Sequence, residues 1–297
     1  MRLHVLAASV LAAALSLTAC QHVQTSTPAA QADVASTAAA GADDNLNAVL
    51  WVQASAEYRA LGEQAFRAAA AQLDRALAEK DWDALVPGER ANPGTGLPPA
   101  VVMDIDETVL DNSPYQARLV RNGTQYDEVT WSDWVNERSA AAVPGVVDFA
   151  RAATARGITI VYISNRAQHL DVATIANLRS VGMPVKDAGA FLGLGTHVDG
   201  CEQHGSEKNC RREQVGRDYR VLMQFGDQLG DFVQVLSNTA DGRAALLDAH
   251  GQWFGERWWM LPNPTYGSWE PAAFNNDWSQ PREVRRAAKR AALDVAP

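Results

Sequence analysis

Cysteine is scarce in this sequence: three residues in 297, with only Cys201 and Cys210 beyond the first twenty positions. Their spacing with His197 and His204 matches no common zinc module. Positive charge is in the minority, 26 Lys and Arg against 35 Asp and Glu, for a net charge of −9. That balance argues against a nucleic acid polymer as partner. Beyond residue 20 there is no apolar run long enough to span a bilayer, no internal repeat and no coiled-coil pattern. Between Gln21 and Ala42 the only large apolar side chains are Val23 and Val34. Such a stretch cannot build a core, so residues 20–43 read as a flexible tether. The whole chain is 47% hydrophobic, enough for one large domain or two small ones.

The first twenty residues differ in kind. Arg2 precedes an apolar run from Val5 to Leu17 that is too short to cross a membrane. It closes on Leu17-Thr18-Ala19-Cys20, which resembles a bacterial lipobox. The resemblance implies a lipoprotein signal peptide over residues 1–19, lipidation at Cys20 and attachment to a membrane. Gln21 in the next position, rather than Asp, implies sorting to the outer membrane. An ordinary secretory signal with a chance cysteine is the alternative. Export puts Cys201 and Cys210 outside the reducing cytosol, so a disulfide is the first reading, with free thiols and zinc as alternatives.

Order is expected from Asp43-Asp44, good residues for a helix start. Leu46, Val49, Leu50, Tyr58, Leu61, Ala65, Ala69, Leu73 and Leu77 follow at helical spacing and predict one or two amphipathic helices before Pro87-Gly88. Three β-branched apolar runs then read as buried parallel strands: Ala100–Met103, Ile158–Ile163 and Arg220–Phe225. Helices are expected between them, one starting near Pro144 and ending at Gly157, another over about Leu170–Ser180. Such alternation means a parallel α/β sheet. The C-terminal part reads as irregular, around Trp253, Trp258 and Trp259, before a basic helix from Gln280 to Leu293. The arginines of that helix suit a solvated face better than a contact with anionic lipid or substrate.

Each predicted strand ends in polar groups: Asp104 and Asp106 with Glu107 and Asp111, then Ser164, then Asp227 with Asp231. Ligands of open α/β sheets bind at the carboxyl ends of the strands. Residues i and i+2 at a strand end point the same way, so Asp104 and Asp106 face one crevice. Carboxylates crowded beyond a buried strand repel one another unless a divalent cation sits between them. Two such acids with separated pKa values can act as nucleophile and proton donor.

In order, Asp104-Ile-Asp106-Glu-Thr108, Ile163-Ser164-Asn165-Arg166, Lys208 and Gly226-Asp227-Gln-Leu-Gly-Asp231 resemble the four motifs of the haloacid dehalogenase superfamily. The longer text from Asp104 to Tyr115 is similar to that of class C bacterial acid phosphatases. So are Leu261–Glu270, the Trp131/Trp134 segment and Leu50–Tyr58. The resemblance implies a doubly wound parallel sheet of haloacid dehalogenase type with a small helical cap subdomain. It makes residues 44–297 a single phosphatase domain: an α/β core over about 99–250, and a cap from about 44–90, 113–143 and the C-terminal part.

It also implies Mg²⁺-dependent hydrolysis of small phosphomonoesters, nucleoside monophosphates included, through an aspartyl-phosphate. Asp104 would be the nucleophile and Asp106 the acid and base. The metal would be held by Asp104, the main-chain carbonyl of Asp106, and Asp227. Ser164, Asn165 and Lys208 would bind the phosphoryl oxygens, with Lys186 the competing lysine. Thr108 would hold the turn and Asp231 would orient a neighbour such as Lys208. Trp131, Trp134, Tyr266 and Trp269 are the aromatic candidates to stack on a base. Two rival readings remain: a phosphomutase or dehalogenase on the same fold, and a surface lipoprotein that binds a nucleotide or haem without turnover.

Overall fold

The computed structural model describes residues 43–296, so the signal-peptide, lipidation and tether expectations for residues 1–42 lie outside the described residues. Two consecutive helices come first, α1 (Leu46–Ala54) and α2 (Ala56–Ala78). They are separated at Ser55, whose extended backbone breaks the helix while its hydroxyl accepts a hydrogen bond from Tyr58 N and caps α2. The central strand β1 (Pro99–Met103) follows, then a short ribbon of β2 (Leu110–Asp111) and β3 (Ala141–Ala142) that brackets α3 (Ser113–Asn122) and α4 (Glu128–Glu137). The chain continues through α5 (Val146–Thr154), β4 (Thr159–Ala167), α6 (Asp171–Ser180) and β5 (Phe191–Leu194). It ends with α7 (Asn209–Asp218), β6 (Arg220–Gly226), α8 (Ala240–His250), β7 (Trp258–Met260), α9 (Trp269–Ala272) and α10 (Arg282–Ala291).

Five strands form one sheet in the order β5-β4-β1-β6-β7, and all four pairings are parallel. The sheet is buried on both faces, which is why its strands read as unbroken apolar runs. Side chains alternate between two cores. Val101, Met103, Ile160 and Tyr162 pack towards Phe66 and Leu73 of α2, Phe149 of α5 and Leu178 of α6. Ala100, Val102, Val161 and Ile163 pack towards Val215 of α7, Phe232 and Trp258. Helices therefore cover both faces, and the sheet is doubly wound. Among the described residues no helix is long and apolar enough to cross a membrane.

Two expectations need correction. The second strand does not stop at Ile163: β4 runs on through Ser164, Asn165 and Arg166 to Ala167. Pairing with β5 continues past a register shift, so the polar end is still strand. The aromatic stretch near Trp258 is not irregular either. Trp258–Met260 is β7 at the sheet edge, paired with Gln224–Gly226 and too short to show a period of two. Cys201 and Cys210 are joined by a disulfide, with their Cα atoms 5.6 Å apart. The bond uses both thiols that a zinc site would need, and His197 lies exposed against Asp199 at 3.0 Å.

Candidate active site

The carboxyl ends of β1, β4 and β6 open into one cavity of about 1110 Å³. Asp104 follows β1 directly and extends its ladder, its N–H donating to Phe225 O at 2.9 Å. The chain then reverses around Ile105, whose carbonyl accepts from Val109 N and Leu110 N, both at 2.8 Å. Glu107 makes the reversal possible in a left-handed conformation, φ 59°, that non-glycine residues seldom adopt. Its buried carboxylate accepts from Asn112 N at 2.8 Å and from the Tyr266 hydroxyl. Burial and the neighbouring Asp106 hold the Glu107 carboxyl well above its ordinary value. One turn thus sends Asp104 and Asp106 into the cavity and ties the loop of Tyr266 to it.

At the end of β6 the chain folds back so closely that a Cβ on Gly226 would lie 2.3 Å from that of Asp231. Asp231 uses this approach to accept from the N–H groups of Asp227 at 3.0 Å and Gln228 at 2.8 Å. Its other oxygen meets Lys208 Nζ at 2.6 Å, and the same ammonium contacts Asp104. Lys208 precedes α7 and is buried. Lys186 is elsewhere, over the Tyr219 ring. Thr108 Oγ1 is 3.5 Å from the second oxygen of Asp104.

Asp104, Asp227 and Asp231 each offer a carboxylate oxygen, and these lie within 4.8 Å of one another. Burial, then the Asp231 and Asp106 charges, push the Asp104 carboxyl up to about 7 against the pull of Lys208. Burial, then the Asp231 and Asp104 charges, hold Asp227 well above its ordinary value. One ammonium among three carboxylates leaves excess negative charge in a poorly solvated place. An all-oxygen donor set with that excess fits a hard divalent cation such as Mg²⁺. Asp227 also accepts from Gln228 Nε2 at 2.8 Å and Asn263 Nδ2 at 2.7 Å, which fixes its orientation.

The side chain of Asp106 stands apart from this cluster. It accepts from Arg166 Nε at 2.9 Å and Nη2 at 2.8 Å, from Asn112 Nδ2 at 2.8 Å, and more distantly from Ser164 Oγ at 3.4 Å. Arg166 and Asn112 thus turn the Asp106 carboxylate away and leave its main chain for a metal, while Asp231 joins Asp104 and Asp227 in the carboxylate group. Ser164 is fully buried beneath Asp106. Asn165 lies exposed on the cavity wall, its amide oxygen held by Arg211 Nη2 at 2.7 Å. Arg211 also donates to Ser164 O at 2.6 Å, so it fixes the end of β4.

The aromatic candidates divide. Trp131 lines the cavity, packed edge-on against Tyr115 at 5.2 Å and under the Arg166 guanidinium at 5.5 Å. Tyr266 and Trp269 line it too. Trp134 does not: it is buried, and its indole N–H donates to Asn112 Oδ1 at 2.8 Å. Its place is that of a strut behind Asn112, not a stacking face. Sequence reasoning gave no role to Asn112 or Arg166, although both lie inside the motifs quoted for the resemblance. The signal available was a buried-strand arginine that needed a counter-charge.

The sequence matches the family model described as HAD superfamily, subfamily IIIB (acid phosphatase), over residues 7–269. Among solved structures it is similar to the class C acid phosphatase from Bacillus anthracis with tungstate bound. The TM-score is 0.74 and the identity 34%, covering 85% of this chain and 98% of that one. A second structure of the Bacillus anthracis enzyme gives 0.73 and 33% over the same shares. Among curated proteins it is 26% identical over 165 residues to the stem 31 kDa glycoprotein of Glycine max. It is 23% identical over 165 residues to acid phosphatase 1 of Solanum lycopersicum. The chain spans 58% and 57% of the lengths of those two relatives.

Proposed function

The chain belongs to the acid phosphatase family of HAD subfamily IIIB, and from that premise we propose that it hydrolyses phosphate monoesters through an aspartyl-phosphate on Asp104. The observation that carries this reading is the separation of two carboxylates two residues apart. Asp104 is held by Lys208 inside the acid cluster, while Asp106 is held by Arg166 and Asn112 outside it. Such a division of environments is what a nucleophile and a proton carrier require.

Asp104 attacks phosphorus, and the bond from phosphorus to the ester oxygen breaks as Asp106 gives its proton to that oxygen. Asp106 then takes a proton from water, whose oxygen attacks phosphorus. The bond to Asp104 breaks and inorganic phosphate leaves. Lys208 opposes the burial that favours a protonated Asp104 and, with Asn165, stands where phosphoryl oxygens gather charge. Asp104 and Asp227, with the Asp106 main-chain carbonyl, would hold Mg²⁺. When bound, the ion supplies neutralising charge beside the phosphoryl group. Tungstate, a tetrahedral oxyanion, was bound in the Bacillus anthracis relative, which supports an oxyanion site in this fold.

Nucleoside monophosphates fit the proposal as substrates because the cavity is far larger than a phosphoryl group and Trp131, Tyr266 and Trp269 offer aromatic surface for a base. The lipobox supports an exported, lipid-anchored protein of the outer membrane. A Cys20→Ala variant should appear in the soluble fraction, and one that still pellets with membranes refutes the anchor. The activity is tested by phosphate release from an aryl phosphate, expected with Mg²⁺ and lost in chelator. Asp106→Asn should slow it about 10²–10⁴-fold, the size of an acid–base contribution. Unchanged turnover in that variant refutes the assignment.

A further inference from the structure

The cavity that holds Asp104, Asp227 and Asp231 also takes Arg282, Arg285, Arg286 and Lys289 of α10 into its wall. Three of these face carboxylates. Arg286 pairs with Asp44 at 2.7 Å, Lys289 with Glu270 at 2.9 Å, and Arg282 approaches Asp43 at 3.8 Å. Arg285 differs. Its hydrogen-bond partners are the amide oxygen of Gln125 at 2.8 Å and the main-chain oxygen of Gln280 at 3.1 Å, both neutral. Its guanidinium lies over the Trp278 ring at 4.9 Å and the Phe274 ring at 5.9 Å, which orient the plane without cancelling the charge. It is half-buried, so water screens it only in part.

A cavity of about 1110 Å³ leaves room beyond a phosphoryl group and a nucleoside. We infer that Arg285 reads a second anionic group on the leaving-group side of the substrate. The favoured class is then phosphomonoesters that carry another phosphate or a carboxylate away from the scissile bond. A planar guanidinium held by neutral partners suits this role because it binds an oxyanion through two donors and gives up no ion pair in doing so. The neighbouring arginines and Lys289 must first share or leave their carboxylates, so they contribute less. The inference rests on the phosphomonoesterase reading and deepens it.

The test compares a nucleoside 5′-monophosphate with the same nucleoside 3′,5′-bisphosphate, following release of the 5′ phosphate with Mg²⁺ present. The wild-type protein should favour the bisphosphate in kcat/KM by about 10-fold, the scale of one hydrogen bond to a charged group at a half-buried site. Arg285→Gln should erase most of that preference through KM, because the contact is made equally in ground and transition states. Arg285→Lys, which keeps the charge but loses the fork, should retain part of it. A variant that lowers both substrates equally would show that Arg285 only secures α10 to Gln125 and would overturn the inference, as would a wild-type protein with no preference. Release of phosphate from neither substrate overturns the phosphomonoesterase reading itself, and the inference with it.

Discussion

Replacing Lys208 by methionine keeps the length of the side chain and removes the ammonium that contacts Asp104 and Asp231. All three groups are buried, so the carboxylates would lose their cation without gaining water. Breaking a buried ion pair in this way costs about 3–5 kcal/mol. For a domain of this size each kcal/mol moves Tm by about 2–4 °C, so the chelated variant should melt about 6–20 °C below wild type at pH 8. At pH 5 the deficit should shrink, because Asp104, already pushed up to about 7, can take a proton in place of the lost ammonium. Millimolar Mg²⁺ at pH 8 should recover part of the loss by supplying positive charge to the same carboxylates. Differential scanning fluorimetry of both proteins, with chelator and with Mg²⁺, reads all three effects. A variant that melts within about 1 °C of wild type at pH 8 in chelator refutes the claim that Lys208 neutralises the cluster.

Wild-type protein should show a related pH dependence without metal. Asp104, Asp227 and Glu107 all hold their protons to higher pH when folded than when unfolded. The folded state therefore binds more protons, and stability falls as pH rises from the ordinary carboxylate range towards about 7 for Asp104. Chelated protein should melt higher at pH 5 than at pH 8, and Mg²⁺ should narrow the gap; the opposite order contradicts the assigned shifts. Trp134→Phe should cost about 1 kcal/mol through the lost bond to Asn112 and slow aryl phosphates and nucleotides alike. A loss confined to nucleotides would restore Trp134 as a stacking residue.

The sheet was legible because its strands are buried on both faces and so appear as plain apolar runs, as with Ala100–Met103 and Ile158–Ile163. β5 and β7 were not, since four and three residues carry too little periodicity and each is placed by pairing with a longer strand, β4 and β6. The acids were legible as types at strand ends, and so was the link from Asp231 to Lys208, found at 2.6 Å. What the sequence could not show is which acid Arg166 takes. An arginine two residues beyond Ser164 needs a counter-charge, but only the folded sheet brings it across to Asp106 and Asn112. Glu107 and Tyr266, 159 positions apart, meet only because the reversal after Asp104 adopts a left-handed residue. The basic stripe of α10 looked like a solvated face, and long-range pairing with Asp43 and Asp44 is what turns part of it into the cavity.

Asp104 as nucleophile is the claim on which the rest depends, and trapping its covalent intermediate tests it directly. Enzyme mixed with excess phosphomonoester and Mg²⁺, quenched in acid within the first turnovers, should carry one phosphoryl group. Mass mapping should place that group on the peptide containing Asp104, and borohydride should reduce the acyl phosphate there to homoserine. Rapid release of phosphate with no such adduct at any quench time, or turnover persisting in Asp104→Asn, would contradict the account.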